Sequence, residues 1–172
     1  MQDIYDFKWE HIGDLSEGRP NLGGETSVVI YRLMQYTFKD VFSKEIGKQK
    51  TAELFVKAGL LAGKEFCRNV LDTSLGFSEF IADLKDKLMT LKVGILRIEE
   101  ADEKNLQFML TMSEDLDCSG LPIFDEAVCD YDEGFIAGIL EEYAGKKFIA
   151  KEIDCWATGD RTCRFEVKPV KN

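Results

Sequence analysis

The last quarter of the chain, Lys146 to Lys168 (KKFIAKEIDCWATGDRTCRFEVK), limits the possible folds more than any other stretch. Two strand-like runs, Phe148 to Ile153 and Cys163 to Val167, flank the turn-rich Thr158-Gly159-Asp160-Arg161, a pattern that predicts a hairpin. Paired strands lie about 5 Å apart, so Cys155 at the end of one and Cys163 at the start of the other can face a single ion. Glu152, just ahead of Cys155, adds a third donor on the same hairpin. A fourth must come from elsewhere, and Cys129 is the best candidate.

Zinc takes four tetrahedral ligands from thiolate, imidazole and carboxylate. Cys129, Glu152, Cys155 and Cys163 would supply three sulfurs and one oxygen, all anionic when bound, so the group would repel itself without a cation and hold a dication strongly. The opposing reading is that the cysteines are separately buried and Glu152 is a surface acid. Because Cys-x7-Cys is not a standard zinc-finger interval, spacing alone leaves the two readings open.

At 172 residues the chain is long enough for one domain to bury roughly two thirds of its unfolded surface. We expect an N-terminal arm over residues 1–25, polar and Gly-rich, and a single domain over residues 26–172. A net charge of −10 with no Lys/Arg cluster argues against nucleic-acid binding and against a cationic membrane helix. The opening MQDIYDFKWEH lacks an apolar signal core, and no run approaches the roughly 18 to 20 apolar residues of a membrane span. A cytoplasmic location is therefore expected. Five cysteines, an odd number, argue against a disulfide framework. A single histidine, His11, excludes a histidine pair and argues against a Ser/His/Asp site. No catalytic residue is assigned.

Apolar spacing predicts helices over residues 28–46, 48–71, 79–91 and 124–143, with Gly47 and Gly145 as stops. In the second, Leu54, Phe55, Ala58, Leu61, Ala62, Phe66 and Val70 form the expected apolar face. The pairs Gly59/Gly63 and Gly134/Gly138 recur at four-residue spacing, which lets another helix come close to the backbone. Strands are expected over residues 93–99 and 106–112, forming a first hairpin. With the C-terminal hairpin these give an α+β fold: a sheet of about four antiparallel strands packed with four main helices.

The segment from Cys129, C-x-Y-x-x-G-F-I-A-G-I-L-E-E-x-x-G, followed by E-x-x-C-x-A-x-G-D-x-x-C-x-F, resembles the vinyl-4-reductase (4-vinyl reductase) domain family, with this chain as a stand-alone member. The RPNLGGETSVVIYRLM and AGLLAGKEF stretches look like the family's N-terminal half. The family is named for a step in bacteriochlorophyll synthesis and also occurs in the sensor regions of phenol- and xylene-responsive activators. The resemblance implies zinc bound at Cys129, Glu152, Cys155 and Cys163, whereas Cys118 and Cys67 match no ligand position and are expected to be plain buried thiols. It implies a small hydrophobic or aromatic ligand held between helices and sheet, for which Phe108, Met109, Tyr131, Phe135 and Trp156 are candidate walls. It also implies a homodimer, and a protein partner is conceivable for signalling. The functional expectation is a zinc-containing sensor or carrier rather than an enzyme. The alternative is a reductase-like or accessory protein of tetrapyrrole metabolism, against which the scarcity of basic anchors beyond Arg32, Arg68 and Arg97 weighs.

Overall fold

The computed structural model describes residues 5–171. After a 3-10 turn at Trp9–Ile12, five helices and four strands follow in the order α1 (Leu15–Gly18), α2 (Val28–Ile46), α3 (Lys48–Val70), α4 (Phe77–Thr90), β1 (Ile95–Asp102), β2 (Gln107–Ser113), α5 (Asp130–Ala144), β3 (Phe148–Asp154) and β4 (Cys163–Pro169). The strands form one antiparallel sheet in the order β1-β2-β4-β3. The C-terminal hairpin thus docks its second strand on β2, with Met112 opposite Cys163.

Alternation sets which side is buried. Phe148, Ala150 and Glu152 on β3 and Cys163, Phe165 and Val167 on β4 point inward. Against this face lie α4, through Phe80, Ile81, Leu84 and Leu88, and α5, through Ile136, Ile139 and Leu140. Helix α3 packs behind α5, and α2 lies against α3.

Local signals account for the helix limits. Ser27 caps α2 by accepting from the Val29 amide, and Gly47 ends it at φ 86°, a left-handed conformation open to glycine. Helix α5 departs from the sequence expectation because it begins at Asp130, not near Phe124. The Phe124 amide instead donates to Ala157 O (2.8 Å), so residues 124–129 cross the C-terminal hairpin before helix formation starts. Three acids in the first turn, Asp130, Asp132 and Glu133, favour the helix at that later point.

The expected face of α3 is also rotated. Leu54 and Leu61 are exposed, while the buried line runs through Thr51, Gly59, Gly63, Phe66 and Cys67. The glycines face α5, whose own Gly134 and Gly138 face back. A Cβ at Gly63 would lie 2.1 Å from Phe135 O, and one at Gly134 1.9 Å from Val56 O. The two backbones therefore touch along this seam. Among the described residues, no helix is long and apolar enough to cross a membrane.

Candidate metal centre and adjoining cavity

Four segments bring sulfur to one point. Cys129 is the N-cap of α5, Cys155 directly follows β3, Cys163 opens β4, and Cys118 lies in the loop after β2. Their Sγ atoms all lie within 4.8 Å of one another, and all four residues are buried. The Cys129 sulfur is 3.9 Å from that of Cys155 and 3.8 Å from that of Cys163, while Cys118 and Cys163 are 3.0 Å apart. Sulfurs bound tetrahedrally at 2.3 Å to one zinc ion stand about 3.8 Å apart. The donor set therefore fits zinc with a small outward movement of Cys118.

Contrary to the sequence expectation, Cys118 does not stand alone. The structure brings it into the group because its loop is tied down on both sides. Asp115 Oδ1 accepts from the Asp117 and Cys118 amides, a compact Asx turn. Arg32 closes the outer side, donating to the carbonyls of Asp115, Leu116 and Ser119. Since β2 pairs with β4 up to Met112–Cys163, a tight turn just beyond β2 returns toward Cys163. The sequence signal for this is Asp115-x-x-Cys118 after a strand.

Glu152 is buried and beside the sulfurs but is not one of the four mutually close donors. Its Oε2 accepts from the Cys129 amide at 3.2 Å, and Oε1 has no hydrogen-bond partner among the described residues. Burial, and next the nearby Cys155 sulfur, push its pKa up to about 8. It is not the surface acid of the competing sequence reading.

The sulfurs interact strongly. Hydrogen bonds from Cys118, then Cys129 and Cys163, hold the Cys155 thiol far below its ordinary range. Cys118 is the leading cause pushing the Cys129 and Cys163 thiols far up. One negative charge is thus shared by the group, and ionising the remaining thiols requires a cation.

Next to the sulfurs is a cavity of about 30 Å³ between α4, α5 and the sheet. Phe77, Leu84, Phe108, Phe135 and Phe165 are among its mostly apolar walls, and the carboxyl groups of Asp115 and Asp132 supply its polar end. Burial, then Asp117, raises Asp115 to about 7. Burial, then Asp115 and Asp117, holds Asp132 well above the carboxylate range.

Of the five expected wall residues, Phe108 and Phe135 line this cavity. Met109 cannot, because it has the opposite strand parity to Phe108 and faces a shallow groove on the other side of the sheet. Tyr131 faces a groove between α2 and α3, and the Trp156 indole donates to Leu121 O beside the metal centre.

Comparison with known proteins places this arrangement. Residues 108–169 match the model of the vinyl-4-reductase domain. MJ1642, an uncharacterized protein of Methanocaldococcus jannaschii, is 30% identical over 151 residues, covering 88% of this chain and 83% of that protein. The chain belongs to the vinyl-4-reductase domain family. Two solved structures share its fold. A vinyl-4-reductase family protein from M. jannaschii aligns with TM-score 0.61 at 20% identity, covering 99% of this chain and 98% of that one. The phenol-responsive sensory domain of the transcription activator PoxR, solved with phenol, aligns with TM-score 0.69 at 14% identity, covering 86% and 78%.

Proposed function

We propose that this vinyl-4-reductase family member is a cytoplasmic, zinc-containing binding module, a sensor or carrier for a small hydrophobic or aromatic molecule. The carrying observation is the convergence of four buried sulfurs beside an apolar cavity with one polar end. Zinc on Cys118, Cys129, Cys155 and Cys163 would leave no open position, so its role there is structural. Glu152 is the alternative fourth ligand to Cys118, and its unpartnered Oε1 keeps it within this reading. The phenol-responsive domain with the same fold supports a ligand of that kind.

At about 30 Å³ the closed cavity holds about one water molecule, so ligand entry requires α4 to move outward from the sheet. Residues 1–25 serve as an arm and residues 26–172 as the binding domain. A tetrapyrrole role gains nothing from the arginines. Arg32 is occupied by loop carbonyls and Arg68 by Glu65 and Glu142.

Native mass spectrometry of freshly purified protein tests the proposal. We expect one zinc per chain together with a small apolar adduct, or an adduct on adding phenol. A metal-free chain that binds neither phenol nor any apolar adduct overturns it.

A homodimer formed through α2 completes the proposal. This helix buries only Gln35, leaving Val29 71%, Leu33 61%, Met34 54% and Phe38 50% exposed, with Val41 and Phe42 continuing the stripe. Contiguous apolar faces larger than about 300–600 Å² mark association surfaces. Leu33→Glu combined with Phe38→Glu should convert a dimer to a monomer in sedimentation, with unchanged zinc content. A wild-type monomer at micromolar concentration would disprove this arrangement.

A further inference from the structure

We propose a second cation site, formed by Asp115, Cys129 and Asp132, which shares the Cys129 sulfur with the four-thiol centre and opens on the apolar cavity. One ligand atom from each of these residues lies within 4.8 Å of the other two. Asp115 and Cys129 are 3% and 1% exposed. Asp132 Oδ2 is sealed from solvent and has no hydrogen-bond partner among the described residues, although its residue lines the cavity. An unpartnered buried carboxylate oxygen is costly, and a cation would satisfy it. The inference rests on the zinc reading only through the Cys129 thiolate.

Charge supports the same conclusion. Four thiolates around one dication leave two negative charges, with Asp115 and Asp132 immediately beside them. The nearby side-chain cations are engaged elsewhere. Arg32 donates to backbone carbonyls, Lys39 pairs with Asp130, and Lys151 pairs with Glu133. A second dication is the simplest group that offsets this local excess.

The cavity volume distinguishes between possible occupants. About 30 Å³ admits an ion with one water but no organic molecule. One thiolate and two carboxylates suit a borderline divalent cation such as zinc, cobalt or ferrous iron rather than calcium. Three protein ligands and a cavity-facing fourth position make an open site, unlike the closed four-thiol centre.

The test is a zinc titration of the full chain after metal removal, followed by native mass spectrometry and elemental analysis. The wild type should bind two equivalents, the second more weakly. Asp132→Asn, which keeps the side-chain shape, should bind one and retain its circular dichroism. Asp115→Asn is the second variant should Asp132→Asn fail to fold, and it too should bind one. Saturation of the wild type at one equivalent, or a second equivalent persisting in the folded variants as weak surface binding would, overturns the second site while leaving the four-thiol centre intact. No bound zinc at all removes the four-thiol reading as well.

Discussion

Stripping the metal should lower the melting temperature by about 10 °C or more, and Cys155→Ala should do the same while abolishing zinc binding. The size of the effect follows from what the ion joins. Its four sulfurs come from the loop after β2, the first turn of α5 and both strands of the C-terminal hairpin, segments otherwise linked near this point by a few hydrogen bonds. The pH dependence gives a sharper signature. In loaded protein the thiolates must stay deprotonated, so stability is lost as pH falls. In metal-free protein the sign reverses. Asp115 and Glu152 are raised to about 7 and about 8 in the folded state. Below about pH 4 both states hold these protons, and above it the unfolded chain ionises first. Metal-free protein should therefore lose stability as pH rises from about 4 to about 8. Denaturant unfolding across pH, with and without chelator, should give slopes of opposite sign. Parallel slopes would show that no metal is coupled to folding. Within the same experiment, Cys118→Ser should weaken zinc binding more than Glu152→Gln if four thiols hold the ion, and the reverse order would make Glu152 the fourth ligand.

The sequence reveals local devices better than it reveals facing directions. The limits of α2 are legible because Ser27 and Gly47 mark them chemically, as a cap and as a positive-φ stop. The C-terminal hairpin is legible from alternation and its turn. The start of α5 is not. The run from Phe124 has helical spacing, but the Phe124 amide is taken by Ala157, a residue distant in sequence. The buried side of α3 is hidden for a related reason. Apolar periodicity identifies where a helix carries large side chains, yet here the closest approach is made by glycines, and several large residues remain on the surface. Cys118 escapes the sequence reading because its position depends on β2 pairing with β4 and on Arg32 reaching across from α2. Neither is encoded near Cys118. The three other sulfurs lie within one connected stretch, from the start of α5 through the hairpin, which makes their grouping legible.

Gly134→Ala should destabilise the protein by about 3 kcal/mol or more, despite placing the best helix former in the interior of a helix. In an exposed helix the exchange would gain about 1 kcal/mol from propensity, so the sign of the result measures the seam directly. The new methyl would meet Val56 O at 1.9 Å and Leu60 N at 2.7 Å, and both are helix backbone that cannot rotate away. Relief requires α3 and α5 to separate, which loosens the packing of Ile136 and Ile139 and shifts the N-terminus of α5 that carries Cys129. Overpacking typically costs about 1–3 kcal/mol where side chains can adjust, and a clash between two backbones belongs at or above the top of that range. Gly63→Ala should behave alike, since its methyl would lie 2.1 Å from Phe135 O. Gly18→Ala, which meets nothing within 4 Å, should change stability by no more than about 0.5 kcal/mol. Because the α5 displacement also moves Cys129, Gly134→Ala should weaken zinc binding without altering any ligand. Denaturant unfolding and a zinc competition assay on the three variants check this, and a neutral or stabilising Gly134→Ala would mean that α3 and α5 do not touch along the glycine seam.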